Sequence, residues 1–187
     1  MEIETIIDRI YKLPEASKEK ITEAIDIEEY GKGYCLLNAD KVEKNIYFIK
    51  KGIVRAYIDS SDPEITFWFG KEGDTIVSMR SYVDARKGYE NIELLEDCIL
   101  YKLDVSSLNK LFTEDIHIAN WGRKFAEQEL LKTEERLIAR QFKTASERYS
   151  ELIQNDPELL QRIQLSYIAS YLGITQVSLS RIRAKIK

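Results

Sequence analysis

The apolar positions of the chain change period as the sequence runs from one end to the other. Ile3, Ile6, Ile7, Ile10 and Tyr11 recur at helical spacing, and Pro14 breaks that helix. A second short helix is predicted from about Ser17, as its N-cap, to Ile27. From Tyr30 to Leu103 short runs rich in Val, Ile, Tyr and Phe take over: Ile46–Ile49, Val54–Ile58, Ile65–Phe69, Thr75–Val77, Ile92–Leu95 and Cys98–Leu103. Turn signals separate them at Lys51-Gly52, Ser60–Pro63, Gly70–Gly73 and Glu96-Asp97. Short strands at this spacing predict an antiparallel barrel or jelly roll. Helical spacing then returns, with Asp104 or Ser106 as cap, and runs to about Phe142. A further helix is predicted from about Thr144 to Asn155, stopped by Asn155-Asp156-Pro157, and the final segment begins near Leu159.

The long helical stretch carries Ile116, Ala119, Ala126, Leu130 and Leu137 on one stripe, interrupted at Arg123 and Thr133. At about 1.5 Å per residue it is longer than a small domain needs to cover itself. An apolar stripe of this length pairs with a second copy in a dimer, or packs along its own barrel. Phe125, Leu131 and Ile138 lie off the stripe and suit the second kind of contact.

The last segment has the pattern of a helix-turn-helix. Ser166 is the expected N-cap of a helix Tyr167–Leu172, Gly173 supplies the turn, and Thr175 caps a second helix from Gln176 onward. Ile168, Leu172, Ile174, Leu179 and Ile182 form a shared apolar core, with small Ala169 where the helices cross. Projected at 100° per residue, about the helical period, the second helix turns Leu179, Ile182 and Ile186 inward. Gln176, Val177, Ser180, Arg181 and Ala184 fall on the opposite arc. Gln176 suits adenine N6/N7, Arg181 suits guanine O6/N7, and Val177 suits a thymine methyl. Ser166, Tyr167, Arg183 and Lys185 are better placed for phosphates, although Arg183 and Lys185 also fit a plain solvated helix end.

Charge supports the same segment. The chain holds 28 Lys+Arg and 32 Asp+Glu, a formal net charge of −4. Five of the cations (Arg162, Arg181, Arg183, Lys185 and Lys187) lie between Leu159 and Lys187, where there is no Asp or Glu, leaving 23 cations against all 32 acids elsewhere. A +5 tail on a −9 body predicts a local polyanion-binding module. The remaining composition mainly excludes. The two cysteines, Cys35 and Cys98, fall in strand-like segments and read as small buried apolar side chains. They are too few for an iron–sulfur centre, which takes about four cysteine ligands. The single histidine, His117, builds no metal site, and no CxxC, HExxH or phosphate-binding glycine loop is present, which argues against an enzyme. No apolar run approaches the roughly 20 residues of a membrane span. The acidic start Met1-Glu2-Ile3-Glu4 lacks a secretory layout, so a cytoplasmic location is expected.

The order of helix, barrel, long helix and helix-turn-helix resembles the Crp–Fnr regulators over nearly the whole chain. The carriers are Gly33-Tyr34-Cys35-Leu36-Leu37, Ile46 through Val54, Gly73-Asp74, Ile168-Ala169 through Thr175, and Ser178 through Ile182. The resemblance implies that Gln176, Val177 and Arg181 face base edges, and it implies RNA polymerase as a further partner. It also marks departures. Where cyclic-nucleotide-binding members have a Gly-Glu pair for the ribose, Val77-Ser78 stand; where their phosphate-neutralising Arg-Ser pair falls, Gly88-Tyr89 stand. Cyclic AMP is therefore not the expected ligand, and the ligands for haem are missing. Arg55, Ser78, Arg80 and Tyr89 are the candidate contacts for another small-molecule effector, and no cofactor is expected. The wing strands that often follow the reader helix in this family are absent from the sequence.

The sequence thus predicts an α+β protein. A cyclic-nucleotide-binding-like β-barrel (jelly roll) with flanking helices fills 1–110, a long dimerisation helix 111–142, and a helix-turn-helix domain 143–187. Its expected activity is sequence-specific binding of double-stranded DNA by a homodimer through Ser166, Tyr167, Thr175, Gln176, Val177, Ser180, Arg181, Arg183 and Lys185, without a membrane partner. The rival reading is a sensing or protein-interaction module whose C-terminal helices do not touch DNA.

Overall fold

The computed structural model describes residues 1–59 and 64–186, in an α+β architecture of helices around two sheets. The turn expected at Ser60–Pro63 lies outside the described residues. The elements are α1 (Ile3–Ile10), α2 (Glu15–Glu23), β1 (Ile25–Tyr30), β2 (Cys35–Leu37), β3 (Asn45–Lys51), β4 (Val54–Ile58), β5 (Ile65–Gly70), β6 (Thr75–Ile76), α3 (Met79–Asp84), β7 (Asn91–Leu94) and β8 (Cys98–Asp104). Helices follow: α4 (Val105–Glu114), α5 (Ile116–Phe142), α6 (Ala145–Asn155), α7 (Pro157–Arg162), α8 (Leu165–Leu172) and α9 (Gln176–Ile186). The chain divides into two units, Met1–Ala56 with Phe69–Leu130, and Tyr57–Trp68 with Leu131–Lys187.

The strands make two four-stranded sheets, of order β1-β8-β3-β6 and β2-β7-β4-β5. Strand β8 is the central partner of the first sheet, antiparallel to both β1 and β3. The register pairs Ile46 with Leu103 and Phe48 with Tyr101, which places those four side chains on one face. Helices α1, α2, α4 and the start of α5 cover that face through Ile6, Ile7, Ile21, Leu108, Ile118 and Trp121. The Trp121 indole Nε1 donates to the carbonyl of Ile7 at 3.1 Å, so the ring's one polar atom is satisfied inside the core. Ile49 and Leu100, paired across the same ladder, are buried on the other face. Both faces of β3 are thus covered, which is why its sequence reads as a continuous apolar run. Gly52 follows β3 with φ of 111°, and a Cβ there would collide with Cys98 Sγ, so only glycine fits.

Three sequence expectations are corrected in the first unit. The segment from Ile25 to Ile27 is strand, not the end of the second helix, because Ile25–Tyr30 pairs with β8 along its length. Ser17 is not an N-cap; it lies inside α2 and its hydroxyl donates to Asp115 at 3.0 Å. The helical stretch after β8 is also not continuous. Asp104 caps α4, accepting from the Ser107 amide, as the sequence suggests. The chain then breaks at Asp115, whose backbone is extended and whose carboxylate accepts from the amides of His117 and Ile118 to start α5 anew. The same carboxylate takes Lys20 Nζ at 2.9 Å. That hydrogen bond with Lys20, aided by those of Ser17, His117 and Ile118, holds the Asp115 carboxyl at about 2, well below its ordinary range.

In the second unit α6 opens with a complete capping box. Thr144 Oγ1 accepts from the Glu147 amide, and the Glu147 carboxylate accepts from the Thr144 amide. Tyr149, Leu159, Ile163, Ile168, Ala169, Leu172 and Leu179 are buried apolar residues of this unit.

Candidate nucleic-acid interface and ligand cavity

The turn between α8 and α9 sets the direction of the candidate reader helix. Gly173 takes the left-handed conformation, with φ of 67°. The amide of Ile174 donates to Ala169 and that of Gly173 to Ser170, the two bonds of a Schellman stop. No atom crowds the place of a Cβ at Gly173, so the backbone angle alone calls for glycine. Thr175 Oγ1 then accepts from the Ser178 amide at 3.2 Å and caps α9. Arg148 on α6 braces the turn from below, donating Nη2 to the carbonyl of Leu172 at 2.6 Å. The Ser170 hydroxyl accepts from the Thr66 amide and donates to the Glu64 carbonyl, tying α8 to the strand segment of its own unit.

With α8 and α9 so held, Leu179 is 1% exposed and Val177 is 62% exposed. Gln176, Ser180, Arg181, Arg183 and Lys185 join Val177 on the solvent side, as does Thr175 at the cap. Ser166 and Tyr167, on the first turn of α8, are half-buried. Ser166 does not cap that helix; it starts at Leu165 with Gln164 as the flanking residue. Ile186, predicted to face inward, is 40% exposed on the last turn, beyond the reach of the α8 core. The arrangement presents an amide, a hydroxyl, a methyl-bearing surface and a row of cations along one short helix. That set can meet base edges and phosphates together. Arg148, which sequence reasoning missed, carries no local signal, because its role depends on a carbonyl met only after folding.

A separate cavity of about 230 Å³ opens in the first unit, between the Tyr34–Asn38 segment, Lys41, Ser78, Gly88 and Glu90. Ser78 is 3% exposed and Glu90 6%. One carboxylate oxygen of Glu90 accepts from the Tyr89 amide at 3.0 Å. The other oxygen, Oε1, and the Ser78 hydroxyl are buried with no partner. Backbone bonds hold the lining in place: Gly88 donates to the Lys41 carbonyl and accepts from the Asp40 amide. Of the four residues expected at a ligand, only Ser78 lines this cavity. Arg55 is buried and paired with Glu93 at 2.8 Å. The Arg80 guanidinium lies over the Tyr89 ring, 5.9 Å from its centroid, and neither residue lines the cavity. No arginine is among the lining residues. Among the described residues no group of three or more His, Cys, Asp or Glu is placed to hold a metal ion. Cys98 is buried, and Cys35 is half-buried at the cavity wall.

Known proteins resemble the chain in part of its sequence and in its fold. Residues 27–115 match the model of the cyclic nucleotide-binding domain. Among solved structures, FixK2 from Bradyrhizobium japonicum superposes with a TM-score of 0.73 at 23% identity, covering 87% of this chain and 84% of that one. The catabolite activator protein of Thermus thermophilus gives 0.60 at 17% identity, with 95% and 85% covered. A transcriptional regulator of the Crp/Fnr family from Eubacterium rectale gives 0.71 at 18%, with 91% and 82% covered. At these identities the likeness is one of fold. No curated protein sequence matches the chain. No described helix is long and apolar enough to cross a membrane.

Proposed function

We propose that this chain, whose residues 27–115 match the cyclic nucleotide-binding domain and whose fold is that of the Crp/Fnr regulators, is a sequence-specific DNA-binding transcription regulator. The observation that carries the reading is the two-sidedness of α9. Leu179 is locked into the unit while Gln176, Val177, Ser180 and Arg181 stand exposed on one arc behind a left-handed glycine turn. In the major groove Gln176 and Arg181 donate to purine edges and Val177 meets a thymine methyl. Arg183, Lys185, Ser166 and Tyr167 take phosphates, and Thr175 holds the helix start in register with them.

The protein works as a homodimer joined along α5, where Leu130, Leu131, Leu137, Ile138 and Phe142 are all exposed. Two reader helices then meet half-sites about one duplex turn apart. The barrel senses a small molecule other than cyclic AMP, and the response is passed to RNA polymerase in the cytoplasm by binding rather than by catalysis. Selection from a pool of random duplexes tests the DNA reading. An enriched, nearly palindromic site whose retention is lost in Arg181→Ala is the expected result. No enriched sequence, or retention unchanged by that substitution, overturns it and leaves α8 and α9 to protein contacts.

A further inference from the structure

We propose that the cavity beside Ser78 and Glu90 binds a small organic cation, an ammonium or guanidinium group whose N–H donors complete Glu90 Oε1 and Ser78 Oγ. The inference deepens the sensing half of the proposed function, and it rests on reading the barrel as the sensor. Buried polar atoms are normally paired, so two orphans facing one space call for a ligand that supplies what they lack. An ionised carboxylate can only accept, and its second oxygen already takes the Tyr89 amide, so the missing group is a donor.

Gly88 spares both atoms a steric neighbour. A Cβ at this position would lie 2.9 Å from Ser78 Oγ and 3.2 Å from Glu90 Oε1, so any larger residue would crowd the two orphaned atoms. Charge points the same way. The lining holds Lys41 against Glu43 and Glu90, a net of one negative charge. Glu43 is already engaged, accepting from the amides of Lys44 and Asn45 and from the Asn45 side chain. Glu90 is therefore the carboxylate that a ligand cation neutralises. A cyclic phosphate does not fit these residues. It would set its own acceptor oxygens against the buried Glu90 carboxylate, with no lining arginine to offset them. A volume of about 230 Å³ holds several heavy atoms, since one water in the liquid occupies roughly 30 Å³.

The test is calorimetric titration of the full chain, without DNA, with n-butylammonium and methylguanidinium, and with butyrate and cyclic AMP as anionic probes. Saturable binding of at least one cation and of neither anion is expected. Glu90→Gln should weaken it by about tenfold or more, the loss of one charge-assisted hydrogen bond. Gly88→Ala, which leaves every charge in place, should block it by filling the gap, and Ser78→Ala gives a reading should either variant fail to fold. No cation binding, binding unchanged in all folded variants, or binding of cyclic AMP in place of the cations overturns the proposal. Because DNA is absent, loss of duplex binding in Arg181→Ala leaves this measurement unmoved. Failure of the DNA reading and failure of the ligand proposal are thereby separate.

Discussion

The guanidinium of Arg148 donates to the carbonyl oxygen of Leu172 at 2.6 Å, joining α6 to the last turn of α8 immediately before the glycine turn. The same side chain donates Nη1 to the carbonyl of Arg140 at the end of α5. One residue on α6 therefore meets the otherwise unpaired C-terminal carbonyls of two helices, with its positive charge at the negative end of each dipole. Arg148→Ala should lower stability by about 1–3 kcal/mol, the usual cost of removing a charged hydrogen-bond partner. It should also weaken duplex binding without altering the preferred site. Thermal denaturation and fluorescence anisotropy on one labelled duplex measure the two effects.

Arg181 and Lys185 are exposed on the same helix but are expected to fail differently when removed. Arg181→Ala should cost about 1–3 kcal/mol at the selected site and relax preference at one base position. Lys185→Ala should weaken binding evenly across sequences and reduce the salt slope by about one. Anisotropy titrations on matched and mismatched duplexes over a range of salt distinguish them. Equal loss on every sequence for both variants would place Arg181 on the phosphates.

Leu137 is 61% exposed and Leu130 72% exposed, one heptad apart on α5. Leu137→Glu puts a charge where a second copy's apolar side chains would pack. It should raise the dimer dissociation constant by about a hundredfold or more, with helix content unchanged. Light scattering across a concentration series reads the mass directly, and a wild-type chain that stays monomeric at every concentration would refute α5 as the dimer helix.

Asp115 sets an acid limit. Its carboxyl lies at about 2 in the folded chain, against an ordinary value of 3.8, chiefly through the hydrogen bond with Lys20. A depressed acid contributes its stability while ionised, so the contribution is complete above the unfolded value and disappears as pH falls through the folded one. Unfolding free energy should therefore decline from about pH 4 to about pH 2. In Asp115→Asn that decline should be shallower, as followed by denaturant titration at each pH.

Much of the fold and of the exposed face of α9 is legible in the sequence because both depend on local spacing. The strands from β3 to β8 carry their own β-branched and aromatic runs, and α1 carries a helical stripe. The helix-turn-helix is the clearest case: Gly173, Thr175 and Leu179 act within a few residues of themselves, so their roles follow from their positions. Strand β1 was hidden because Ile25–Tyr30 has no strong pattern of its own and is strand through pairing with β8. The break at Asp115 was hidden for a related reason. Its carboxylate is held by Ser17 and Lys20, from a helix far back in the chain.

Local period and charge set the class of fold: a strand-rich barrel, a long helix and a basic two-helix segment. What the barrel presents to its cavity follows only from folding. Ser78 was visible as a candidate, yet Glu90 was not, because an isolated glutamate reads as a solvated charge. It becomes a buried acceptor once the Tyr34–Lys41 segment closes over Gly88. Burial and the pairing of acceptors with donors are properties of distant segments brought together, and no spacing along the chain encodes them.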